Sequence, residues 1–441
     1  MAVSKPQHRA AWHNWAANQV CRPAHIHAPT SEDELVQIVR DAAASGERVK
    51  VVGAGHSFTA IALTDGHLIT LDNYQQVLKT DAVSCQVTVQ AGIKIHRLNE
   101  ELDRRGLAMQ NLGDIDRQSI SGAISTATHG TARKLGGIAG DVVGLRLIAG
   151  DGSIIDCSAT ENPEIFHAAR VGLGALGVIS TVTLQCVPSF NLHAREVPSN
   201  VEEILANLDE HIASNDHFEF YWVTGTRWAI AKFNNRTLAD GPRRSALRQF
   251  RDDILFNNAA FAAVCWTGRL NERLIPRIAK VMPSGGATEY VDKSYKVFCS
   301  PRWIHFYEME YAIPIEAAKE AVNRVRNYIA KSGLILAFPI EVRFTVGDDI
   351  PLSTAYKRRS CYIAVHVYQH MQYQQYFEAV EDIMDDYGGR PHWGKLHFQT
   401  SETLATRYPE WDAFQNARRR IDPDGRFSNA YLDRVVGSIG G

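Results

Sequence analysis

A glycine-rich turn in the first quarter of the chain carries an imidazole. The segment Gly53-Ala54-Gly55-His56-Ser57-Phe58 follows the apolar residues Val51 and Val52, as a turn after a strand would. Glycines let backbone N–H groups approach and bind a phosphate group. Phe58 replaces the third glycine of the dinucleotide fingerprint, and no Walker sequence occurs. In such a loop, His56 is able to attach covalently to a cofactor; the alternative is a simple strand-ending turn.

A second segment, residues 110–131, is rich in glycine and hydroxyl side chains and poor in aliphatic ones. This composition is typical of a loop and helix start that wrap a polar, planar ligand, with backbone groups providing most of the recognition. The alternative is a polar surface loop. Loops of about 20 residues inside a compact domain usually have a function, which favours ligand binding.

A carboxylate and a guanidinium lie two residues apart in the apolar segment Phe338–Thr345. In a strand, alternation puts Glu341, Arg343 and Thr345 on one face and Ile340, Val342 and Phe344 on the other. The polar face has the groups to orient a hydroxylated substrate. The alternative is an ion pair on a solvated sheet, which would contribute little energy.

Imidazole and ammonium groups are concentrated in residues 390–397, which include His392, Lys395 and His397. Together with His366, these histidines would be the ligands if the chain were a metal hydrolase. Their spacing matches no helical zinc motif, and no carboxylate lies between His392 and His397, so we expect no metal. The Gly-x-Ser-x-Gly turn of serine hydrolases is also absent from the sequence.

The composition excludes several classes of protein. With 441 residues, 45% hydrophobic side chains and a formal net charge of −2, the chain lacks the basic character of nucleic-acid-binding proteins and the low hydrophobicity of disordered ones. The longest apolar run, Ala259–Trp266, is far shorter than the roughly 20 residues of a membrane helix. Seven scattered cysteines without a Cys-x-x-Cys motif, and an amino terminus without an apolar signal region, predict a reduced, cytoplasmic protein.

The elements that position these segments alternate between helix and strand over the first 187 residues. A capping box at Ser31–Glu34 begins a helix that ends at Gly46. Asn162 and Pro163 are predicted to be the cap and the first residue of another helix. The other expected elements are a helix over Ile95–Arg105 and strands over Val49–Val52, Leu68–Leu71, Val87–Gln90, Val142–Ala149, Ile154–Cys157 and Val178–Cys186.

Beyond Val187–Ser189 the pattern changes to longer strands and amphipathic helices, which predicts an antiparallel sheet with helices on one side. The expected strands are Phe218–Val223, Phe306–Ile313, Phe338–Thr345 and Tyr362–Tyr368. The expected helices lie between Pro314 and Gly333 and over Tyr373–Tyr387. The polar stretch 232–258 has no assignable pattern.

In their order along the chain, these segments resemble the aldonolactone oxidoreductases of the vanillyl-alcohol-oxidase flavoprotein superfamily. The resemblance runs from about Arg22 to Arg434. The matching motifs are VVGAGHSFT at the glycine turn, SGAISTATHGT at Ser121–Thr131, GALGVIS at Gly174–Ser180, the Glu341-x-Arg343 pair, His392-Trp393-x-Lys395, and a closing signature from Asp422 to Leu432. Each motif alone is weak evidence, whereas the ordered set over nearly the whole chain is specific.

The resemblance implies an α+β fold: a PCMH-type FAD-binding domain of two α/β subdomains, and a substrate domain whose antiparallel sheet is flanked by helices. The implied domains are residues 1–187 and 188–412, with residues 413–441 returning to the first domain. FAD is the implied cofactor, attached covalently through His56. The implied FAD contacts are Gly53, Ala54, Gly55, His56, Ser57, Phe58, Gly113, Ser121, Gly122, Ser125, Thr128, His129, Gly130, Val178, Ile179 and Lys395.

The resemblance also implies an activity, the oxidation of L-gulono-1,4-lactone or a similar aldono-1,4-lactone. The hydroxyl next to the lactone carbonyl would lose a hydride to flavin N5, and the product would enolise to an ascorbate-type compound. Glu341 or His366 would take the hydroxyl proton. Arg343 would hold the hydroxyl, and Lys395 would stabilise developing negative charge. An alditol oxidase acting on xylitol or sorbitol and a non-catalytic FAD-binding protein are the alternatives.

The electron acceptor implied by the resemblance is O₂ or a cytochrome-type protein. Gly113 matches a position where oxidase members tend to have glycine and dehydrogenase members alanine. A missing methyl group would open a passage for O₂ to the flavin, so we expect measurable oxidase activity. The alternative is that Gly113 only permits a turn. No nucleic acid and no membrane span are expected.

Overall fold

The glycine turn and the Glu341–Arg343 pair belong to two different sheets of the structure, a computed structural model. The described part of the chain comprises residues 10–239, 241, 266–267, 286–300 and 304–439. The unassigned stretch 232–258 begins inside a strand that ends at Thr237, and most of its remainder lies outside the described residues. The apolar run Ala259–Trp266 also lies outside them, apart from Trp266.

The first region contains short strands and four helices among the described residues. Its strands are β1 (Trp12–His13), β2 (Val20–Cys21), β3 (His25–His27), β4 (Val49–Val52), β5 (His67–Thr70), β6 (Val77–Asp81), β7 (Gln86–Gln90), β8 (Leu107–Ala108), β9 (Val142–Ile148), β10 (Ile154–Ser158), β11 (Val178–Gln185) and β12 (Val187–Pro188). Its helices are α1 (Glu32–Ser45), α2 (Ile95–Arg104), α3 (Ile120–Ser125) and α4 (Pro163–Ala169).

The second region contains the longer strands and the carboxy-terminal helices. Its strands are β13 (Asn191–Asn200), β14 (His217–Trp222), β15 (Trp228–Thr237), β16 (Thr288–Lys293), β17 (Phe306–Pro314), β18 (Ile340–Thr345), β19 (Ser360–Tyr368) and β20 (Arg390–Pro391). Its helices are α5 (Val201–Ala206), α6 (Leu208–Ser214), α7 (Ser294–Phe298), α8 (Ala318–Ser332), α9 (Gln374–Asp385), α10 (Ser401–Ala405), α11 (Trp411–Ile421) and α12 (Ala430–Val436).

Local signals placed the ends of the predicted helices to within a few residues, with two corrections to the caps. Ser31 accepts a hydrogen bond from the Glu34 N–H at 3.2 Å, and Gly46 ends α1 in the left-handed conformation. The Glu34 carboxylate, however, accepts from the Thr30 N–H at 2.6 Å, so only half of the predicted capping box forms. Asn162 precedes α4 without a capping side chain, because its amide donates to the Asp156 carbonyl instead.

The first region folds into two larger sheets around one hydrophobic core, and β1-β2 and β12-β8 form two further two-stranded sheets. The parallel sheet has the order β3-β5-β4, and the antiparallel sheet has the order β10-β9-β11-β7-β6. Helix α1 packs Leu35 and Val39 into this core. Phe414, Phe427 and Leu432 from the end of the chain lie in the same core. The carboxy-terminal helices are therefore joined to the first region by apolar packing.

The second region forms an eight-stranded antiparallel sheet with the order β16-β13-β15-β14-β18-β19-β17-β20. Helices α5, α6, α8 and α9 pack on one face, where residues such as Val325 and Phe377 meet Phe220 and Val342. This confirms the predicted α+β class with helices on one side. Strands β13 and β15 were missed because they carry many polar residues, which conceal the alternation that identifies a strand. In the described part of the chain, no helix is both long and apolar enough to cross a bilayer.

Candidate active site

The glycine turn that follows β4 lines a cleft of about 920 Å³, hereafter the cleft. The start of α3 and the loop before β11 complete its walls. A side chain at Gly53 would place its Cβ 2.2 Å from Ser119 Oγ. At Gly55, which has a φ of 66°, a Cβ would lie 3.0 Å from the Trp12 ring. Both positions require glycine, and the absence of side chains lets a ligand approach the backbone.

Most of the predicted FAD contacts line the cleft or one of two cavities that share lining residues with it. The cleft is lined by Gly53, Ala54, Gly55, His56, Ser57, Ser121, Gly122, Ser125 and Ile179. The connecting cavity, of about 450 Å³, is lined by Phe58 and Lys395 among others, and the sheet cavity, of about 850 Å³, by Gly113, Thr128, His129 and Lys395 among others. Gly130 and Val178 line none of the three, because Gly130 packs against the Leu112 carbonyl and Val178 is buried in the first core.

Gln118 lines all three spaces and was not singled out in the sequence. Its amide nitrogen donates to Thr128 Oγ1 at 3.2 Å. Its Oε1 atom is buried and has no hydrogen-bond partner among the described residues. A buried acceptor without a partner is costly, so a donor group of a bound ligand fits here. The glycine walls and this acceptor suit a long ligand with phosphate and planar polar parts, as FAD has.

His56 lines both the cleft and the connecting cavity. Its ring centroid lies 5.1 Å from that of Trp15, which also contacts His305 at 4.5 Å. Burial, followed by the charges of Lys94 and Arg117, lowers the pKa of His56 to about 4. The ring is therefore neutral at physiological pH, and a neutral imidazole has the lone pair that a covalent bond requires.

The polar residues of the second region share the face of the eight-stranded sheet that the helices leave free. Tyr221 of β14, Glu341 of β18, Ala364 of β19 and Glu310 of β17 lie in register across four adjacent strands. Ile340, Val342 and Phe344 point into the core beneath, as the alternation predicted. The sheet cavity lies against the polar face and is lined by Glu341, Arg343, His366 and Lys395.

Arg343 lies among three carboxylates. Its Nη2 pairs with Asp114 and Glu341, and its Nε donates to Glu219 Oε2 at 3.0 Å. The Tyr221 hydroxyl contacts the same three carboxylates at 2.9–3.2 Å. Arg343 and Glu341 are both buried, so the interpretation as a solvated ion pair is wrong. Asp114, Glu219 and Tyr221 were not predicted as site residues, because no local sequence pattern links them to Arg343.

This cluster changes the acid–base chemistry of Glu341. Burial is the largest cause of a rise in the pKa of Glu341 to about 8. Asp114 and Glu219 add to the rise, and the Arg343 charge opposes it. Burial also holds the pKa of Tyr221 well above its usual range, so its hydroxyl remains a donor. The cluster therefore holds a proton that Glu341 loses slightly above neutral pH.

Lys395 forms a second charged cluster at the same cavity. It pairs with Glu308, and its Nζ lies 3.9 Å from Glu310 Oε2. His366 Nε2 lies 3.2 Å from Glu308 Oε1. Although burial opposes it, the charge of Lys395 and the neighbouring His366 ring lower the pKa of Glu308 to about 2. Despite burial, the two carboxylates raise the pKa of Lys395, so the ammonium group stays charged.

Glu308 and Glu310 were not predicted as site residues, although a signal was present. Both are buried and occupy alternate positions of the apolar strand β17, and buried carboxylates require partners. Glu310 faces His129, whose Nε2 lies 3.5 Å from Glu310 Oε2 and whose ring stacks on Tyr362. The strand position of the two carboxylates was sufficient to predict that both face one site.

The three histidines of the metal-hydrolase alternative do not form one ligand group in the described structure. His366 groups with Glu308 and Glu341, and His392 groups with His129 and Glu310. His397 Nε2 hydrogen-bonds to the Tyr431 hydroxyl at 3.0 Å and packs at right angles to Trp393.

Gly113 lines the sheet cavity without adopting the left-handed backbone conformation. Its freedom of φ is therefore not what requires glycine. An added Cβ would lie 3.0 Å from the His129 carbonyl oxygen and 3.6 Å from Thr128 Cγ2. A methyl group here would fit only if this backbone moved by a few tenths of an ångström.

Comparison with known proteins agrees with this arrangement. The sequence model of the D-arabinono-1,4-lactone oxidase family matches residues 182–435, and that of an FAD binding domain matches residues 23–158. An L-gulono-1,4-lactone dehydrogenase of Mycobacterium tuberculosis is 45% identical over 97% of this chain and 99% of its own. An L-gulonolactone oxidase of Bos taurus is 38% identical over 96% of this chain and 97% of its own.

Among solved structures, a solvent-stable cholesterol oxidase superposes with a TM-score of 0.82 over 96% of both chains, at 18% identity. This likeness concerns the fold alone. The family model covers more than half of the chain, and two relatives exceed 30% identity over nearly its full length. The chain therefore belongs to the D-arabinono-1,4-lactone oxidase family and is an FAD-dependent aldonolactone oxidoreductase.

Proposed function

We propose that this enzyme oxidises L-gulono-1,4-lactone, or an aldono-1,4-lactone very similar to it, at the hydroxyl next to the lactone carbonyl. The observation that carries the proposal is the convergence of Glu341, Arg343 and Lys395 on one cavity that shares Gln118 with the cleft. The activities named for the two relatives, L-gulono-1,4-lactone dehydrogenase and L-gulonolactone oxidase, support the choice of lactone. FAD, when bound, supplies the acceptor for the hydride.

The protein's own groups provide binding, proton removal and charge stabilisation. Arg343 binds the substrate hydroxyl through its guanidinium, which the surrounding carboxylates hold in place. Glu341 takes the hydroxyl proton, because a carboxylate with a pKa of about 8 is a stronger base than an ordinary one. Lys395 keeps its positive charge and stabilises negative charge that develops at the cavity.

His366 is the second candidate for the base. Its Nδ1 donates to the Pro339 carbonyl at 3.2 Å, since a carbonyl only accepts, and this leaves Nε2 to take a proton. Glu308, 3.2 Å from Nε2, would stabilise the imidazolium that forms. We favour Glu341 because its ion-pair partner, Arg343, is also the group that would bind the substrate hydroxyl.

A substrate panel under anaerobic conditions tests the proposed function. We expect L-gulono-1,4-lactone and D-arabinono-1,4-lactone to bleach the oxidised flavin band, and xylitol and sorbitol to leave it unchanged. Bleaching by the alditols alone would favour the alditol oxidase. A flavin-containing protein that none of these compounds reduces would favour a binding protein without this activity.

Covalent attachment of FAD through His56 is the first site prediction. The neutral ring at the junction of the cleft and the connecting cavity supports it. After acid precipitation, the flavin of the wild-type enzyme should remain in the pellet. In His56→Ala the flavin should move to the supernatant, because no other group would hold it covalently.

His305→Ala is the matched control, since His305 makes a similar ring contact with Trp15. Its flavin should stay with the pellet. Flavin found entirely in the supernatant of the wild-type enzyme would rule out the linkage.

Reaction with O₂ is the second site prediction, and it rests on Gly113. We expect the lactone-reduced enzyme to be reoxidised by aerated buffer. Gly113→Ala should slow that step on the order of tenfold, about 1.4 kcal/mol in the barrier, because a methyl group reduces the space in the sheet cavity. Stopped-flow measurement of flavin reoxidation gives both rates.

Gly136→Ala is the control, since its Cβ would meet only the Val346 carbonyl, at 4.0 Å. It should reoxidise at the wild-type rate. If Gly113→Ala behaves like Gly136→Ala, Gly113 does not gate oxygen. If O₂ fails to reoxidise the wild-type enzyme while a cytochrome-type acceptor succeeds, the enzyme is a dehydrogenase.

The domain bounds 1–187, 188–412 and 413–441 also form part of the proposal, supported by the packing of Phe414, Phe427 and Leu432 in the first core.

A cytoplasmic location is supported by the six cysteines of the described residues, which form no disulfide. Non-reducing electrophoresis of protein from a cell extract would test the thiol state.

A further inference from the structure

Three histidines and a glutamate cluster at the amino ends of the parallel sheet, away from the cavities described above. His25 and His67 are register partners that begin β3 and β5, and Glu47 lies just before β4. The ring centroids of His25 and His67 lie 4.5 Å apart, and His27 stacks on His67 at 5.1 Å. The glycine turn leaves the opposite, carboxyl end of β4. The cluster therefore has no part in the proposed reaction.

The hydrogen bonds inside the cluster join His27, His67 and Glu47 but do not include His25. His67 Nε2 lies 2.8 Å from Glu47 Oε2, and its Nδ1 lies 2.9 Å from His27 Nε2, which together form a chain of hydrogen bonds. His25 Nε2 lies 3.7 Å from the same Glu47 oxygen, beyond hydrogen-bond distance. Two imidazole nitrogens thus approach one carboxylate oxygen, and only one of them bonds to it.

We propose that His25, Glu47 and His67 form a binding site for Zn²⁺. One ligand atom from each residue lies within 4.8 Å of the others. In a tetrahedral site with bonds of about 2.0–2.1 Å, ligand atoms lie about 3.3 Å apart. Glu47 Oε2 lies 2.8 Å from His67 Nε2 and 3.7 Å from His25 Nε2, and these two separations bracket that value.

His27 supports the site from behind. A metal at His67 Nε2 requires the proton of that ring on Nδ1, which then donates to His27 Nε2. His27 Nε2 lies 2.9 Å from that nitrogen, which places it to accept the hydrogen bond. This is the arrangement that orients zinc-binding histidines and selects their tautomer.

The site is open to solvent on one side, so an ion can enter it and water can serve as the fourth ligand. The side chains of His25 and Glu47 are 53% and 36% exposed, whereas that of His67 is 7% exposed. Water can complete the coordination from the open side. Two imidazoles and one carboxylate favour Zn²⁺ or Cu²⁺ over Mg²⁺ and Ca²⁺, which prefer oxygen ligands only. A bound ion would join the starts of β3 and β5 to Glu47, ahead of β4. We therefore expect it to raise the stability of the folded protein.

Calorimetric titration of the chelator-treated, flavin-containing enzyme with ZnCl₂ tests the site. We expect one ion per chain, with MgCl₂ neither binding nor competing. Glu47→Gln and His25→Ala should each weaken binding by about 100-fold or more, and His27→Ala by roughly 10–100-fold. The flavin spectrum verifies that each variant is folded. X-ray absorption at the zinc edge should give nitrogen and oxygen ligands at about 2.0–2.1 Å.

His193→Ala is the matched control. His193 pairs with Glu289 at 2.6 Å on the partly exposed strand β13, and this pair contains only one imidazole. It should bind zinc as the wild-type enzyme does. ZnCl₂ should raise the melting temperature of the wild-type enzyme and of His193→Ala, but not that of His25→Ala. Equal zinc affinity in the wild type, His25→Ala and Glu47→Gln would overturn the proposal, as would zinc that binds only at the buried groups around Glu308 and Glu310.

Discussion

Arg343→Ala is expected to slow reduction of the flavin by lactone by roughly 10²-fold or more, because it removes a positioned, charged donor from the reacting hydroxyl. It also leaves Asp114, Glu219 and Glu341 facing one another without their shared cation. Losing one partner of a buried charged cluster costs about 3–5 kcal/mol, so the free energy of unfolding should fall as well. Anaerobic stopped-flow measurement with L-gulono-1,4-lactone gives the rate.

Two further variants separate the chemical role of Arg343 from its structural one. Arg343→Lys restores the charge and most of the stability but not the forked contacts, so it should remain slow. Lys395→Ala should also slow reduction by about 10²-fold, since it removes the second fixed positive charge at the cavity. Wild-type reduction rates in all of these variants would refute the proposed roles.

Glu341→Gln should slow flavin reduction by about 10²- to 10⁴-fold, because the amide cannot accept the hydroxyl proton. In the wild type, the carboxylate is the active form, and its fraction rises with pH through the pKa of about 8. The rate of reduction should therefore increase about tenfold per pH unit below pH 8 and level off above it. The pH profile of the reductive half-reaction measures this directly.

His366→Asn distinguishes the two candidate bases. It keeps a side chain able to donate to the Pro339 carbonyl but removes the nitrogen that faces Glu308. We expect it to lower the rate less than Glu341→Gln does and to retain the rise toward pH 8. If the rise of the rate with pH is lost in His366→Asn but kept in Glu341→Gln, the base is His366 instead.

Local sequence determined many of the elements and the faces of strand β18. Ser31 and Gly46 bound α1 as predicted, and the alternation in β18 correctly separated Glu341 and Arg343 from Val342. The order of the motifs identified the family and its cofactor. These properties depend on residues a few positions apart, because helix caps and strand faces follow from short periods along the chain.

Only the tertiary structure decided what surrounds the Glu–Arg pair. Asp114 lies 229 positions from Arg343 in sequence, and Tyr221 lies 120 positions from Glu341, yet both contact the pair directly. The rise in the pKa of Glu341 comes from burial and from these distant charges, neither of which a strand pattern contains. The histidine cluster likewise exists because parallel pairing of β3 with β5 puts His25 beside His67.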